Sequence, residues 1–298
     1  MIDAVRCGVR VHDPERVAAR LFAQPFDPTD GRSVRGNVGT LRATLRYDTL
    51  WFRGSLPTFL GETAPLSQAG VERARARIED AFGFSIEDAQ VTSVEITADL
   101  LLSRPVALYL PLLRSRSRAQ RREYEGESVA FVTETRSHKF YDKAAERVAR
   151  GHPPPCGHVL RAELKYVKRL RRQLRTAGPV TFPDLHDARF MRLLICRWET
   201  EWDRIRKRRQ PVAFDGAAPL EASLALAGLH AIGPHAVETH VRSAMQSKRL
   251  NRKTGSDRLR RLRALAADPA FTTESPLLTE LDGAIRKAAV DALDATCG

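Results

Sequence analysis

The chain has 298 residues, 43% of them hydrophobic, enough for one large domain or two ordinary ones with a real core. Its 49 Lys and Arg against 36 Asp and Glu leave a formal net charge of +13, so polyanions are attracted and nucleic acid is the expected partner. The longest apolar run, Val106 to Leu113, is too short for a bilayer, and Met1 to Arg6 does not read as a signal peptide. The four cysteines, Cys7, Cys156, Cys196 and Cys297, lie far apart without a CxxC pair, which argues against a zinc module or a disulfide framework. A reduced, cytoplasmic protein is the expectation.

Residues 1–60 read as short strands with turns: Val5 to Val11, Val38 to Tyr47, and a third from Leu50. Gly54 to Gly61 is a turn-rich connection. Ser67 caps a helix over residues 66–84, with Val71, Ala74, Ile78 and Phe82 at helical spacing and Gly83 at its stop. Val91 to Leu102 alternates as a strand, with Val94, Ile96, Ala98 and Leu100 on one face and Ser93, Glu95, Thr97 and Asp99 on the other. Two carboxylates on one polar strand face suit a divalent cation; a solvated face would look the same, and Glu95 and Asp99 both remain open as the ligand. Residues 104–114 look helical, and an Arg-rich loop or short helix end runs to Gly126.

Ser128 to Thr135 is a strand expected to pair with the strand that holds Phe140 and Tyr141. That second strand ends at Tyr141-Asp142-Lys143, and Ala144 to Arg147 suits a first helical turn. On a strand Tyr141 and Lys143 would share a face, and a phenol beside a lysine is a plausible nucleophile for phosphate, since the cation lowers its pKa. Residues 150–157, with three prolines, form a loop. His158 to Tyr166 alternates again, with Leu160, Ala162, Leu164 and Tyr166 inward and Arg161 and Glu163 on the polar side. A basic helix over 167–176 stops at Gly178-Pro179. Residues 182–209 are mainly helical, and 210–216 is the best boundary. Helices are then expected over 221–229, 236–245, 257–266 and 278–293.

The order of these pieces resembles the gene II-type rolling-circle replication initiators of filamentous phages and, more loosely, plasmid replication initiation factors. The resemblance rests on Met1-Ile2-Asp3 opening a strand, Gly54 to Gly61 before a helix, Thr92 to Leu100, His138 to Glu146, and Leu160 to Lys165. It implies site-specific nicking and joining of an origin strand, with Tyr141 attacking a phosphodiester and retaining the 5′-phosphate. Lys143 and Glu146 are its motif partners, and Glu95 and Glu163 are the acidic residues, Glu95 standing where the family has aspartate. Hard oxygen ligands favour Mg²⁺ or Mn²⁺, with Glu95 and Glu163 as the chosen ligands.

The expected fold is α+β. Residues 1–185 would form an antiparallel-sheet catalytic domain with flanking helices, residues 186–216 a helical connection, and residues 217–298 a helical DNA-binding domain. Arg161, Lys165, Lys168, Arg169, Lys248, Arg249, Arg252 and Lys253 are candidate DNA contacts, Arg161 for the scissile phosphate or its neighbour. Double- and single-stranded origin DNA is the expected partner, with a host helicase, a polymerase and a second copy of the chain as further candidates. The rival readings are a non-catalytic repressor or single-strand binder, and a nuclease that uses metal-activated water with Tyr141 structural.

Overall fold

The computed structural model describes the chain except residues 24–25, 30, 125–126, 208–209, 212–223, 225–227, 229–233, 268–271, 274 and 297–298. The fold is α+β, and it divides into two compact units, Met1–Arg206 with Leu281–Gly298, and Lys207–Glu280.

The first unit is built on one antiparallel sheet of nine strands, in the order β2-β3-β4-β1-β5-β10-β9-β8-β7. In chain order these are β1 (Ile2–Arg10), β2 (Ser33–Val38), β3 (Leu41–Arg46), β4 (Thr49–Ser55) and β5 (Gln90–Leu102). They are followed by β7 (Gln120–Tyr124), β8 (Ser128–Val132), β9 (Arg136–Asp142) and β10 (His158–Tyr166), while β6 (Leu113–Arg116) pairs separately with β11 (Ile205–Lys207). Because successive side chains alternate across a strand, Val94, Ile96, Leu100, Leu160, Ala162, Leu164 and Tyr166 all turn inward and are buried.

Two helices cover that inner face. Helix α3 (Gln68–Phe82) starts at Ser67, whose hydroxyl accepts from the Gly70 N–H, and stops at Gly83 in the left-handed conformation. It sets Phe82 edge-on to Phe52 of β4, with ring centroids 5.3 Å apart. Helix α6 (Ala188–Asp203) is capped by Asp187 and sets Trp202 against Phe140 of β9 at 5.5 Å. Trp198 and Trp202 are fully buried. His138 is buried beside Phe140, and burial holds its pKa down to about 3, so it is a neutral core residue.

Several expected elements differ. The segment after β1 holds a helix, α1 (Pro14–Phe22), because Asp13 accepts from the Arg16 N–H and Pro14 opens the first turn. Gly54 to Gly61 contains helix α2 (Leu56–Leu60), capped by Ser55. The single strand over 38–47 is the turn and second strand of a β2–β3 hairpin, with Gly39 at φ +58°. Residues 104–114 form two single 3₁₀ turns rather than one helix, since Pro105 and Pro111 interrupt it. The Arg-rich stretch supplies β6 and the charged edge strand β7, whose exposed arginines and glutamate suit an unpaired sheet edge. The basic helix shrinks to α5 (Leu170–Leu174), flanked by Arg169 and Arg175 in the left-handed region. Helix α4 (Lys143–Ala149) follows β9 directly.

The chain also divides elsewhere than at 185 and 216. Helix α6 belongs to the core of the first unit, and so do residues from Leu281 on: the Trp202 indole donates to Asp282 at 2.5 Å, and Arg286 lies 3.6 Å from Glu199. In the second unit are α7 (Pro234–Gln246), α8 (Arg252–Ala267) and the start of α9 (Pro276–Asp294). Most of the helix expected over 221–229 and of the boundary at 210–216 lies outside the described residues, though Leu224 and Gly228 are described and helical. No described helix is long and apolar enough to cross a membrane.

Helix α6 is locked to the sheet by Glu201. Its carboxylate, 1% exposed, accepts from Arg116 and Arg204 and pairs with Arg136 at 2.8 Å. Removing it strands the buried Arg116 guanidinium, and breaking a buried pair costs about 3–5 kcal/mol. Glu201→Ala is therefore expected to lower unfolding free energy by roughly that amount in urea denaturation. A loss near the ~1 kcal/mol of a surface pair would overturn this role.

Candidate active site

The outer face of the sheet is polar where β10 lies between β5 and β9. Arg161 stands opposite Asp99 on β5 and Tyr141 on β9; Glu163 stands opposite Thr97 and Lys139; Lys165 stands opposite Glu95 and Ser137. The period of two that buries Leu160, Ala162 and Leu164 thereby presents Arg161, Glu163 and Lys165 outward together.

A fourth strand adds a residue to which sequence reasoning assigned no role. Ile2 pairs with Ile96 and Val5 with Val94, so Asp3 and Ala4 together stand against Glu95 alone. Such a bulge re-aims a side chain. Asp3 accepts from the Ser55 hydroxyl at 2.7 Å and from Arg161 at 3.2 Å, and its carboxylate converges with those of Glu95 and Glu163, ligand oxygens lying within 4.8 Å of one another. The signal was present in the sequence. An acid inside the otherwise apolar run Met1 to Val5 needs a buried partner.

Tyr141 is 8% exposed, and its hydroxyl donates to Glu163 Oε1 at 2.5 Å. The Lys139 ammonium sits over the Tyr141 ring, 4.6 Å from its centroid. Burial, and then the Glu163 charge and hydrogen bond, push the phenol well above its ordinary pKa. The expectation that Lys143 lowers it does not hold. Asp142 accepts from the N–H groups of Ala144 and Ala145 and ends the strand, so Lys143 begins α4 and pairs instead with Glu146 at 2.6 Å. Burial works to raise the Glu146 pKa, but the hydrogen bond from Lys143 and the nearby charges outweigh it and hold it low. Glu163 moves the other way: burial first, and then the negative charge of Glu95, raise it to about 7.

Arg161 is committed. Its guanidinium makes a two-toothed pair with Asp99, at 2.5 and 2.7 Å, besides its bond to Asp3, so it positions carboxylates rather than reaching for a phosphate. Asp99 is thereby occupied, which leaves Glu95 as the β5 carboxylate in the cluster, with Lys165 at 2.8 Å. Tyr141, Lys143, Glu146, Arg161, Glu163, Lys165, Asp3 and Glu95 all line one cleft of about 790 Å³. Lys168 and Arg169 lie outside it, exposed, 3.9 and 3.8 Å from Glu134. Lys248, Arg249, Arg252 and Lys253 are exposed on the second unit, around the junction of α7 and α8.

Among the described residues this is the group of acids that could hold a metal ion, and its donors fit one. Three carboxylates converge, all oxygen donors of the kind Mg²⁺ and Mn²⁺ take. Against known proteins, the chain matches no family model and no curated protein.

A group whose folded pKa lies above its unfolded value adds stability that is present at low pH and lost as pH rises. For Glu163 that contribution is full below about 4.5 and gone once pH passes about 7. The melting temperature should fall across this window, and Glu163→Gln should flatten the fall while still accepting from Tyr141. Mn²⁺ should raise the melting temperature of the native chain above the window, and less so for the variant. Melting curves for native and variant chains that coincide across the window, with and without Mn²⁺, would remove Glu163 from both roles.

Proposed function

We propose that the chain nicks and rejoins a DNA strand through Tyr141, as a rolling-circle replication initiator does. The observation that carries the proposal is the 2.5 Å hydrogen bond from the Tyr141 hydroxyl to Glu163 in a cleft shared with Asp3 and Glu95. A phenol with an ordinary pKa near 10 is almost wholly protonated at neutral pH. Glu163 is placed to receive that proton, and a base with a pKa near 7 suits the task. The Tyr141 oxygen attacks phosphorus, the phosphorus–O3′ bond breaks, and the leaving 3′-oxygen takes up a proton from solvent. The 5′-phosphate stays on Tyr141 until a 3′-hydroxyl reverses the sequence and Glu163 returns the proton to the phenol. Mg²⁺ or Mn²⁺ held by Asp3, Glu95 and Glu163 would supply charge neutralisation at the phosphate.

The surrounding cations support a DNA substrate. Arg147 of α4 and Arg150, which caps its end, line the same cleft. The exposed Lys248, Arg249, Arg252 and Lys253 suit contacts to duplex phosphates by the second unit. The raised pKa of Tyr141 favours a second reading, in which the phenol stays protonated and structural and water attacks instead.

The two readings separate on a denaturing gel of protein incubated with Mn²⁺ and labelled single-stranded oligonucleotides of pooled sequence. The native chain is expected to carry label covalently, and Tyr141→Phe to carry none while binding DNA within a few-fold of native. Glu163→Gln should slow adduct formation by about 10²–10⁴-fold, the usual range for a lost general base. Strand cleavage that survives in Tyr141→Phe, with no adduct in either protein, would decide for water.

A further inference from the structure

Arg6, Arg42 and Arg53 are opposite one another in the sheet, Arg53 pairing with Arg6 on one side and Arg42 on the other. Neighbouring strands lie about 4.8 Å apart, so three guanidinium side chains stand in one row of the outer face. Like charges directly opposite destabilise a sheet. All three are exposed, and among the described residues no carboxylate pairs with any of them. The row ends at Ser93, opposite Arg6 and two residues from Glu95, and the three arginines line the cleft that holds Tyr141.

The next outward row holds Trp51, opposite Gly8 and Thr44. The indole lies flat over Gly8: a Cβ there would come within 2.7 Å of the ring, so only glycine lets Trp51 rest on β1. Trp51 is half-exposed, with the Arg6 guanidinium 5.4 Å from its ring centroid. Beyond it, Arg35 and Arg46 join the row of three around a second concavity of about 1140 Å³.

A ladder of unpaired arginines beside a seated indole has no stabilising account within the fold, but it matches what a single strand needs: a cationic track for phosphates and an aromatic face for a base. We infer that the outer face of β2-β3-β4-β1 binds single-stranded DNA and leads it into the cleft, phosphates lying on Arg42, Arg53 and Arg6 and a base stacked on Trp51. The inference rests on the proposed nicking activity for its direction, toward Tyr141. A duplex fits poorly, because its bases are stacked on one another and cannot lay a face on an indole recessed in a sheet.

Tryptophan fluorescence tests this directly. Of the three tryptophans, Trp198 and Trp202 are 0% exposed, so quenching by a bound base reports Trp51. The full chain is titrated with oligo-dT in EDTA, where binding alone is read. Quenching is expected on binding. Trp51→Phe should abolish it and weaken binding roughly five- to hundredfold. The double variant Arg42→Ala/Arg53→Ala should flatten the slope of log K against log salt by about 1.4, at about 0.7 per lost single-strand phosphate contact. Binding without quenching, an unchanged slope and affinity in the double variant, or a duplex that competes as well as the single strand would each overturn the track. The two proposals fail separately: a missing Tyr141 adduct ends nicking and leaves a quenching titration intact, whereas adduct formation with unchanged binding in the double variant ends the track alone.

Discussion

The candidate site depends on the register of one strand. β10 is paired on both sides, and a slip of one residue would send Arg161, Glu163 and Lys165 into the core and leave Leu160, Ala162 and Leu164 in solvent. The register is therefore held by the buried face, where Trp202 and Phe140 pack behind the strand pair that carries Tyr141 and Glu163. Core packing and site geometry are two sides of the same pleat. A bulge in β1 delivers Asp3 to the cluster.

Electrostatically the outer face is arranged in opposition to the stability of the fold. Carboxylates converge at its centre, and burial, together with the negative charge of Glu95, makes Glu163 hold its proton up to about pH 7. Arginines stand in a row beside them, and among the described residues no carboxylate pairs with any of the three. Arg161 prevents worse by bridging Asp99 and Asp3. Both unfavourable arrangements would be relieved together by a cation in the cleft and a polyanion on the arginines, which is why a metal-assisted reaction on a nucleic-acid strand is the reading that leaves least unexplained. The contrast with Glu201 is instructive: there a carboxylate and its arginines satisfy one another in the interior, and the group is structural.

Much of this was legible along the chain. Alternation in residues 91–102 and 158–166 separated inward from outward residues correctly, the helices over 66–84 and 257–266 were marked by apolar spacing, and those over 236–245 and 278–293 by composition. Capping signals at Asp13-Pro14 and at Ser55 were also present but were outweighed by nearby β-favouring residues, so α1 and α2 were read as turns. Tyr141 and Glu163 were both singled out, but not as partners, because 22 residues separate the phenol from its acceptor.

Composition and period determined the class of the protein: a basic α+β chain with Glu95 and Glu163 on the polar faces of alternating strands and Tyr141 at the end of a third. These follow from local chemistry, since the alternation of a strand is written in consecutive residues. Which polar faces meet is decided by pairing between distant strands, and that required the tertiary structure. Only there does Asp3 join Glu95, Asp99 take Arg161 and so leave the cluster, and Arg6, Arg42 and Arg53 fall into one row. Each joins residues on different strands, and which strands pair is fixed by the fold as a whole rather than by consecutive residues.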